Sequence, residues 1–253
     1  MIHPSAVIHP DAQIADDVSV HPFVVVGADV VVAEGTVLLP GTVLEDGARI
    51  GPNCRIGPYA TIGGVPMDTA FQGERSFAIL DEGVTVREFA SIHRATGEGT
   101  CTRVGTGTLV MSYVHVSHNV TVGQHCTLTS TTQLAGHCSI GDYAFLGAGA
   151  MLHQYCRVGA YAMFGATSGA GQDILPFTLA RGAPAKHASL NRVGLKRRGI
   201  EGERYHVIEQ AFRAFRKRDK ARLAELAELS EDVRMMLEFA DTSTRGICKF
   251  YKP

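Results

Sequence analysis

Four of the eleven histidines in this 253-residue chain are spaced so that they could serve one reaction. His115 and His118 are three residues apart, His137 follows 19 residues after His118, and His153 follows 16 after His137. A neutral imidazole with an ordinary pKa of about 6.5 can draw a proton from a hydroxyl while neighbouring rings bind substrate oxygens. Three imidazoles can instead hold a zinc ion with one position open for water. No Asp or Glu stands out as a further ligand, although a three-histidine set needs none. The third reading is four solvated turn residues. No Ser or Cys occupies a convincing nucleophile motif.

Whether the four meet depends on the elements that carry them. Every sixth residue from Ile2 to Ile62 is aliphatic, the same phase returns at Leu80, Val86 and Ile92, and it runs again from Val104 to Phe164. A helix repeats near 3.6 and a flat strand at 2, so a period of six marks a solenoid of short strands. Three hexads make an 18-residue triangular coil, and coils stack at about 4.8 Å. On that coil the four histidines take positions 7, 10, 11 and 9, which gathers them near one edge of three successive coils.

Glycine often follows the aliphatic residue, as at Gly27, Gly51, Gly57, Gly63, Gly105, Gly123, Gly141, Gly147, Gly159 and Gly165, and is expected there as a turn-permissive residue. Small or β-branched residues such as Ala48, Cys54 and Ala60 stand two places before it. The pattern predicts a mainly β chain: a left-handed parallel β-helix, the hexapeptide-repeat prism, over residues 1–190, with loops at 64–79 and 96–103 where the beat breaks. A loop on so regular a solenoid is more often functional than accidental.

Residues 191–253 read as a small α-helical domain. Val207, Ile208, Ala211, Phe212 and Phe215 form one apolar stripe; Leu223, Leu226, Ala227 and Leu229 form another; Val233, Met236, Leu237 and Ala240 follow. Ser230 with Glu231 and Asp232 is a helix start. Such stripes need a cover, from the prism or from a neighbour, and the flat faces of such prisms commonly pack as trimers.

Composition narrows the function. A net charge of −1 gives no global polycation for nucleic acid or an anionic membrane, and no run reaches the roughly 18 apolar residues of a spanning helix. The repeat begins at Ile2, leaving no room for a signal peptide. None of the six cysteines forms a CxxC pair, and Cys54, Cys126, Cys138 and Cys156 fall inside the repeats as small core residues. A reduced, cytoplasmic compartment is the simplest expectation.

The segments HVSHNVTVG (115–123), QLAGH (133–137), LHQYCRVGAY (152–161), SGAGQD (168–173) and GLKRRG (194–199) resemble the UDP-N-acetylglucosamine 3-O-acyltransferases of lipid A biosynthesis, as do SIHR (91–94) and STRGI (243–247). The resemblance runs essentially end to end. It implies an enzyme that moves a 3-hydroxyacyl group from acyl carrier protein to the sugar 3-hydroxyl of UDP-N-acetylglucosamine, as a homotrimer. It implies no metal and no cofactor beyond the phosphopantetheine arm of the carrier. His118 matches the general base and Gly136 the backbone N–H facing the oxyanion. Asp68, His115, His137, His153 and Gln154 match sugar-nucleotide or acyl contacts, and Ala166 the far end of the acyl groove. Asn191, Arg197 and Arg198 match the nucleotide end. The basic stretch 213–222 is read as a docking face for the acidic carrier protein, with an ordinary solvated face as the alternative.

Four positions depart from that family's pattern. Ala70 stands where a lysine near the sugar is usual, Asn119 where an aspartate follows the catalytic histidine, Val193 where a glutamate lies near the nucleotide, and Ala166 where glycine is common. An amide at 119 can orient an imidazole but stabilises its protonated form less. A methyl at 166 should shorten the preferred chain. Arg75 is the neighbouring cation that could replace the lysine. These departures leave open a paralogue acting on a different nucleotide sugar.

Overall fold

The computed structural model describes residues 1–251. Its repeats form a parallel β-helix of two- to five-residue strands on three faces. Face one begins with Val7–Ile8 and has nine strands, face two begins with Gln13–Ile14 and has eight, and face three begins with Ser19–Val20 and has ten. Each strand pairs in register with the strand one coil away, as Val116 does with Leu134 and Leu134 with Leu152. One wall residue per face points inward. Leu38, Ile56, Ile62, Val104, Val110, Leu128, Leu134 and Leu146 are all fully buried. Each such side chain contributes about 1.5–3 kcal/mol relative to exposure, and repetition makes the core.

Most of the glycines after the wall residues work differently from expectation. Of those named above only Gly63, where the first loop leaves the prism, has a positive φ. They are small because the next coil passes against them: a Cβ at Gly105 would lie 2.6 Å from the Gly123 carbonyl carbon, and one at Gly57 would lie 2.6 Å from that of Arg87. The left-handed turn residue stands three places after the wall residue, and it is usually not glycine. Tyr59, Phe89, Tyr113, Asn119, His125, His137, Tyr143, Tyr155 and Tyr161 all have φ between 53° and 64°. The side chains at these turns stack from coil to coil, for example Tyr59 on Phe89 on Tyr113.

Both loops leave the prism at the corner between faces one and two. The first joins Thr61–Gly64 to Phe77–Leu80, and the second joins Ser91–His93 to Cys101–Val104. They are shorter than the interrupted beat implies, because Phe77–Leu80 and Cys101–Val104 already pair strand to strand. The region after Phe164, where the hexads fade, contains an antiparallel hairpin, Thr178–Arg181 with Lys186–Leu190, that closes face three.

Four helices follow: α1 (Arg192–Arg197), α2 (Gly202–Lys217), α3 (Lys220–Leu229) and α4 (Glu231–Asp241). The stripes of α2, α3 and α4 pack with Phe177 and Leu190 of the prism end in a second core. Leu229 does not belong to its expected stripe and is 79% exposed. Ser230 is the N-cap residue of α4, but its hydroxyl makes no cap bond; Asp232 instead takes a two-pronged ion pair from Arg204 at 2.7 and 2.9 Å.

Candidate active site

Three of the four histidines fall on the corner between faces one and two, and His115 on the strand leading into it, on the three coils that follow the two loops. His115 lies on the face-one strand His115–Val116, His118 and His137 occupy successive turns, and His153 follows Met151–Leu152. The His118 and His137 rings meet edge to face with centroids 5.2 Å apart, and His137 stacks on Tyr155 at 4.6 Å. Burial, then the neighbouring His118, lowers the His137 pKa from its ordinary 6.5. His115 lies against Ser91, with Nδ1 3.1 Å from the hydroxyl, and burial lowers its pKa too. His153 and Gln154 are exposed, and His153 Nδ1 lies 3.3 Å from Arg245.

His118 is the most constrained of the four. Its Nδ1 lies 2.9 Å from Asn119 Oδ1. The Asn119 amide is oriented from both sides by one residue of the second loop: Thr96 N–H donates to Oδ1 at 3.0 Å, and Asn119 Nδ2 donates to the Thr96 carbonyl at 2.9 Å. With the amide so fixed, Oδ1 can only accept, and His118 Nδ1 must carry the ring proton. The lone pair of the neutral ring is then on Nε2. That edge of the ring lies on Gly136, where a Cβ would come within 2.5 Å of Cε1 and Nε2. Gly136 is buried, and its N–H has no acceptor among the described residues. An imidazole nitrogen able to accept a proton and an unpaired backbone donor therefore lie side by side, an arrangement that could serve attack on a carbonyl.

The first loop brings Asp68 to this pair. Its carboxylate accepts from Ala70 N–H at 3.0 Å and lies 3.6 Å from His118 Nδ1. The Ala70 N–H is the main reason its pKa lies below 3.8, and the His118 and His137 rings act in the same direction. Asp68, His118 and His137 each place one ligating atom within 4.8 Å of the others. Counting along the repeat did not place Asp68, expected only as a sugar contact, within the histidine cluster, because it is 50 residues away from His118 along the chain and on a loop. His93 was also missed. Its ring lies 5.0 Å from that of His115, one coil earlier, and the second loop hides it by shifting the 18-residue count.

The other expected site residues lie elsewhere on the chain. Arg197 and Arg198 line a pocket of about 210 Å³ with His125, Tyr143, Phe145 and Tyr161, and Arg198 stacks 4.5 Å over Tyr143. Tyr143 is at the corner between faces two and three, not at the histidine corner. Asn191 is buried with its side chain committed: Oδ1 accepts from Gly194 N–H as the cap of α1, and Nδ2 donates to the Tyr161 carbonyl. Ala166 is exposed on the third corner, between faces three and one. Arg75 does not stand in for the lysine absent at Ala70. Its guanidinium takes both oxygens of Asp29, at 2.9 and 3.0 Å, and lies over Phe77.

A triangular prism of hexads with a histidine ring beside an unpaired glycine N–H is the arrangement of a hexapeptide-repeat acyltransferase. A family model described as "Bacterial transferase hexapeptide (six repeats)" matches residues 29–64, and one described as "Udp N-acetylglucosamine O-acyltransferase; Domain 2" matches residues 173–248. The acyl-[acyl-carrier-protein]–UDP-N-acetylglucosamine O-acyltransferase of Thermodesulfovibrio yellowstonii is 42% identical over 197 residues, covering 74% of this chain and 76% of its own. That of Halorhodospira halophila is 38% identical over 195 residues, with the same coverage. The chain belongs to this family of acyl-[acyl-carrier-protein]–UDP-N-acetylglucosamine O-acyltransferases. Among solved structures, the UDP-N-acetylglucosamine acyltransferase of Francisella novicida superposes with a TM-score of 0.95 at 34% identity, over 98% of this chain and 94% of that one. The Bacteroides fragilis enzyme gives 0.94 at 33%, over 98% and 100%.

Proposed function

We propose that the chain transfers a 3-hydroxyacyl group from acyl carrier protein to the 3-hydroxyl of UDP-N-acetylglucosamine, the opening step of lipid A biosynthesis. The observation that carries the reading is the orientation of His118: proton on Nδ1, lone pair on Nε2, and the Gly136 N–H alongside. His118 Nε2 takes the proton of the sugar hydroxyl as its oxygen attacks the thioester carbonyl. Gly136 N–H receives the developing oxyanion, and the collapse of the tetrahedral intermediate expels the carrier thiolate, which takes up a proton. His115, His137, His153 and Gln154 line the approach, with Asp68 toward the sugar. Holding both substrates at this corner supplies much of the acceleration. The reaction so read needs no resident cofactor or metal, because the carrier brings the acyl group on its own arm.

The nucleotide end is assigned to Arg197 and Arg198, with Asn191 acting through the helix it caps. Because those arginines and the histidines occupy different corners, a homotrimer is proposed in which one subunit's arginines face the next subunit's histidines. Ala166 is assigned to the far end of the acyl groove. The basic stretch 213–222 is proposed to dock the carrier protein. A cytoplasmic location fits the six free cysteines. Among the described residues no helix is long and apolar enough to cross a membrane.

The test is product mass spectrometry with several acyl carrier thioesters and a panel of nucleotide sugars. Acylated UDP-N-acetylglucosamine is the expected product. Turnover of another nucleotide sugar alone would favour the paralogue, a reading supported by Ala70, Asn119 and Val193 and by the engagement of Arg75 with Asp29.

A further inference from the structure

A histidine that takes a proton in a transition state needs two things from its neighbours: a partner that fixes its tautomer, and negative charge for the imidazolium to develop against. One adjoining carboxylate can do both. Here the group bonded to His118 Nδ1 is the neutral amide of Asn119, and both ends of that amide are held by the Thr96 peptide. It can orient the ring but brings no charge. The charge nearest to Nδ1 is the Asp68 carboxylate at 3.6 Å, one of whose oxygens is tethered by Ala70 N–H.

We propose that the two tasks are divided in this chain: Asn119 is a positioning residue that holds His118 as its Nδ1–H tautomer, and Asp68 supplies the counter-charge. The proposal rests on reading His118 as the base. It also gives the two loops a common purpose, since the first delivers the carboxylate and the second the clamp on the amide. The loops are fastened to each other: Glu74 accepts from Gly97 N–H at 2.6 Å and Glu98 accepts from Arg75 N–H at 3.2 Å. The first is also tied to the prism through Arg75 and Asp29. Charge and tautomer are therefore set by segments that meet only when both loops are seated.

The experiment compares the full chain with Asp68→Asn and Asn119→Ala, each also in a His118→Ala background, and checks folding by thermal unfolding. Asp68→Asn should lower kcat roughly 10- to 100-fold with KM for UDP-N-acetylglucosamine changed by less than about threefold, the scale on which proton-transfer assistance acts. Neither substitution should lower the residual rate further once His118 is gone, because each acts through that ring. Nitrogen NMR of His118 should show Nδ1–H as the main neutral tautomer in the wild type and a loss of that preference in Asn119→Ala. A loss carried wholly in KM, or one that persists without His118, would show that Asp68 only contacts the sugar and would overturn the division. A wild-type ring protonated on Nε2 would overturn the role of Asn119. The NMR measurement needs no substrate, so it remains decisive if the proposed acyl transfer itself is not seen.

Discussion

At the scale of single residues, Gly136 has no room for a side chain on the face that meets the proposed base. Its neighbour is the ring of His118, and a methyl group there would lie 2.5 Å from Nε2. Gly136→Ala should therefore displace the base and cut kcat by about 100-fold or more while thermal unfolding changes little; steady-state kinetics beside a melting curve checks both. His118→Ala should cost at least as much and leave the chain folded. The cysteines make a second residue-scale prediction. Burial pushes the Cys54 thiol up to about 11 and those of Cys126, Cys138 and Cys248 up to about 12. Thiolate is the reactive form, so half-buried Cys101 should be alkylated first, and peptide mapping after brief iodoacetamide treatment will show whether it is. The identities of the histidines were legible because six-residue counting turns distance along the chain into place on a prism. Asp68 was named only through the family resemblance, and neither its place beside His118 nor Thr96 could be counted out, since loops carry no such period.

At the scale of elements, the first loop is held by an exposed ion pair, and such pairs contribute little to global stability. Arg75→Ala should leave the thermal unfolding midpoint nearly unchanged, yet make the loop cleavable near Phe71 by chymotrypsin and slow turnover several-fold. The C-terminal segment is fastened more deeply. His187 is buried, its Nε2 accepting from Leu175 N–H and its Nδ1 donating to the Cys248 carbonyl. Burial pushes its pKa from 6.5 down to about 4. Between those values the unfolded chain binds a proton that the folded ring refuses. This contribution is thus fully present above about pH 6.5 and declines as pH falls toward 4, by on the order of 3 kcal/mol in all. Melting curves from pH 7 to 4.5 should fall steeply for the wild type and less so for His187→Gln. Sequence pattern located the strands and helices well, because each buries a periodic face. It misjudged the glycines, since close packing and a left-handed turn both select small residues and only the stacked coils tell them apart.

At the scale of the whole molecule, the histidine corner and the arginine pocket lie on different edges of one prism, so the proposed site is complete only between subunits. His118→Ala and Arg198→Ala chains, each nearly inactive alone, should regain activity when co-expressed, because some mixed trimers pair an intact histidine corner with an intact arginine pocket. Light scattering should give three times the 27.1 kDa chain mass, and absence of complementation in confirmed mixed trimers would place both halves of the site within one subunit. The sequence by itself determined the repeat, the prism and the gathering of His115, His118, His137 and His153, because side-chain burial in a solenoid follows strict local periodicity. Only the tertiary structure decided which groups surround the base. Asp68 and Thr96 reach His118 through loops that escape the period, and the tautomer of His118 depends on an amide whose orientation is set by a peptide 23 residues away.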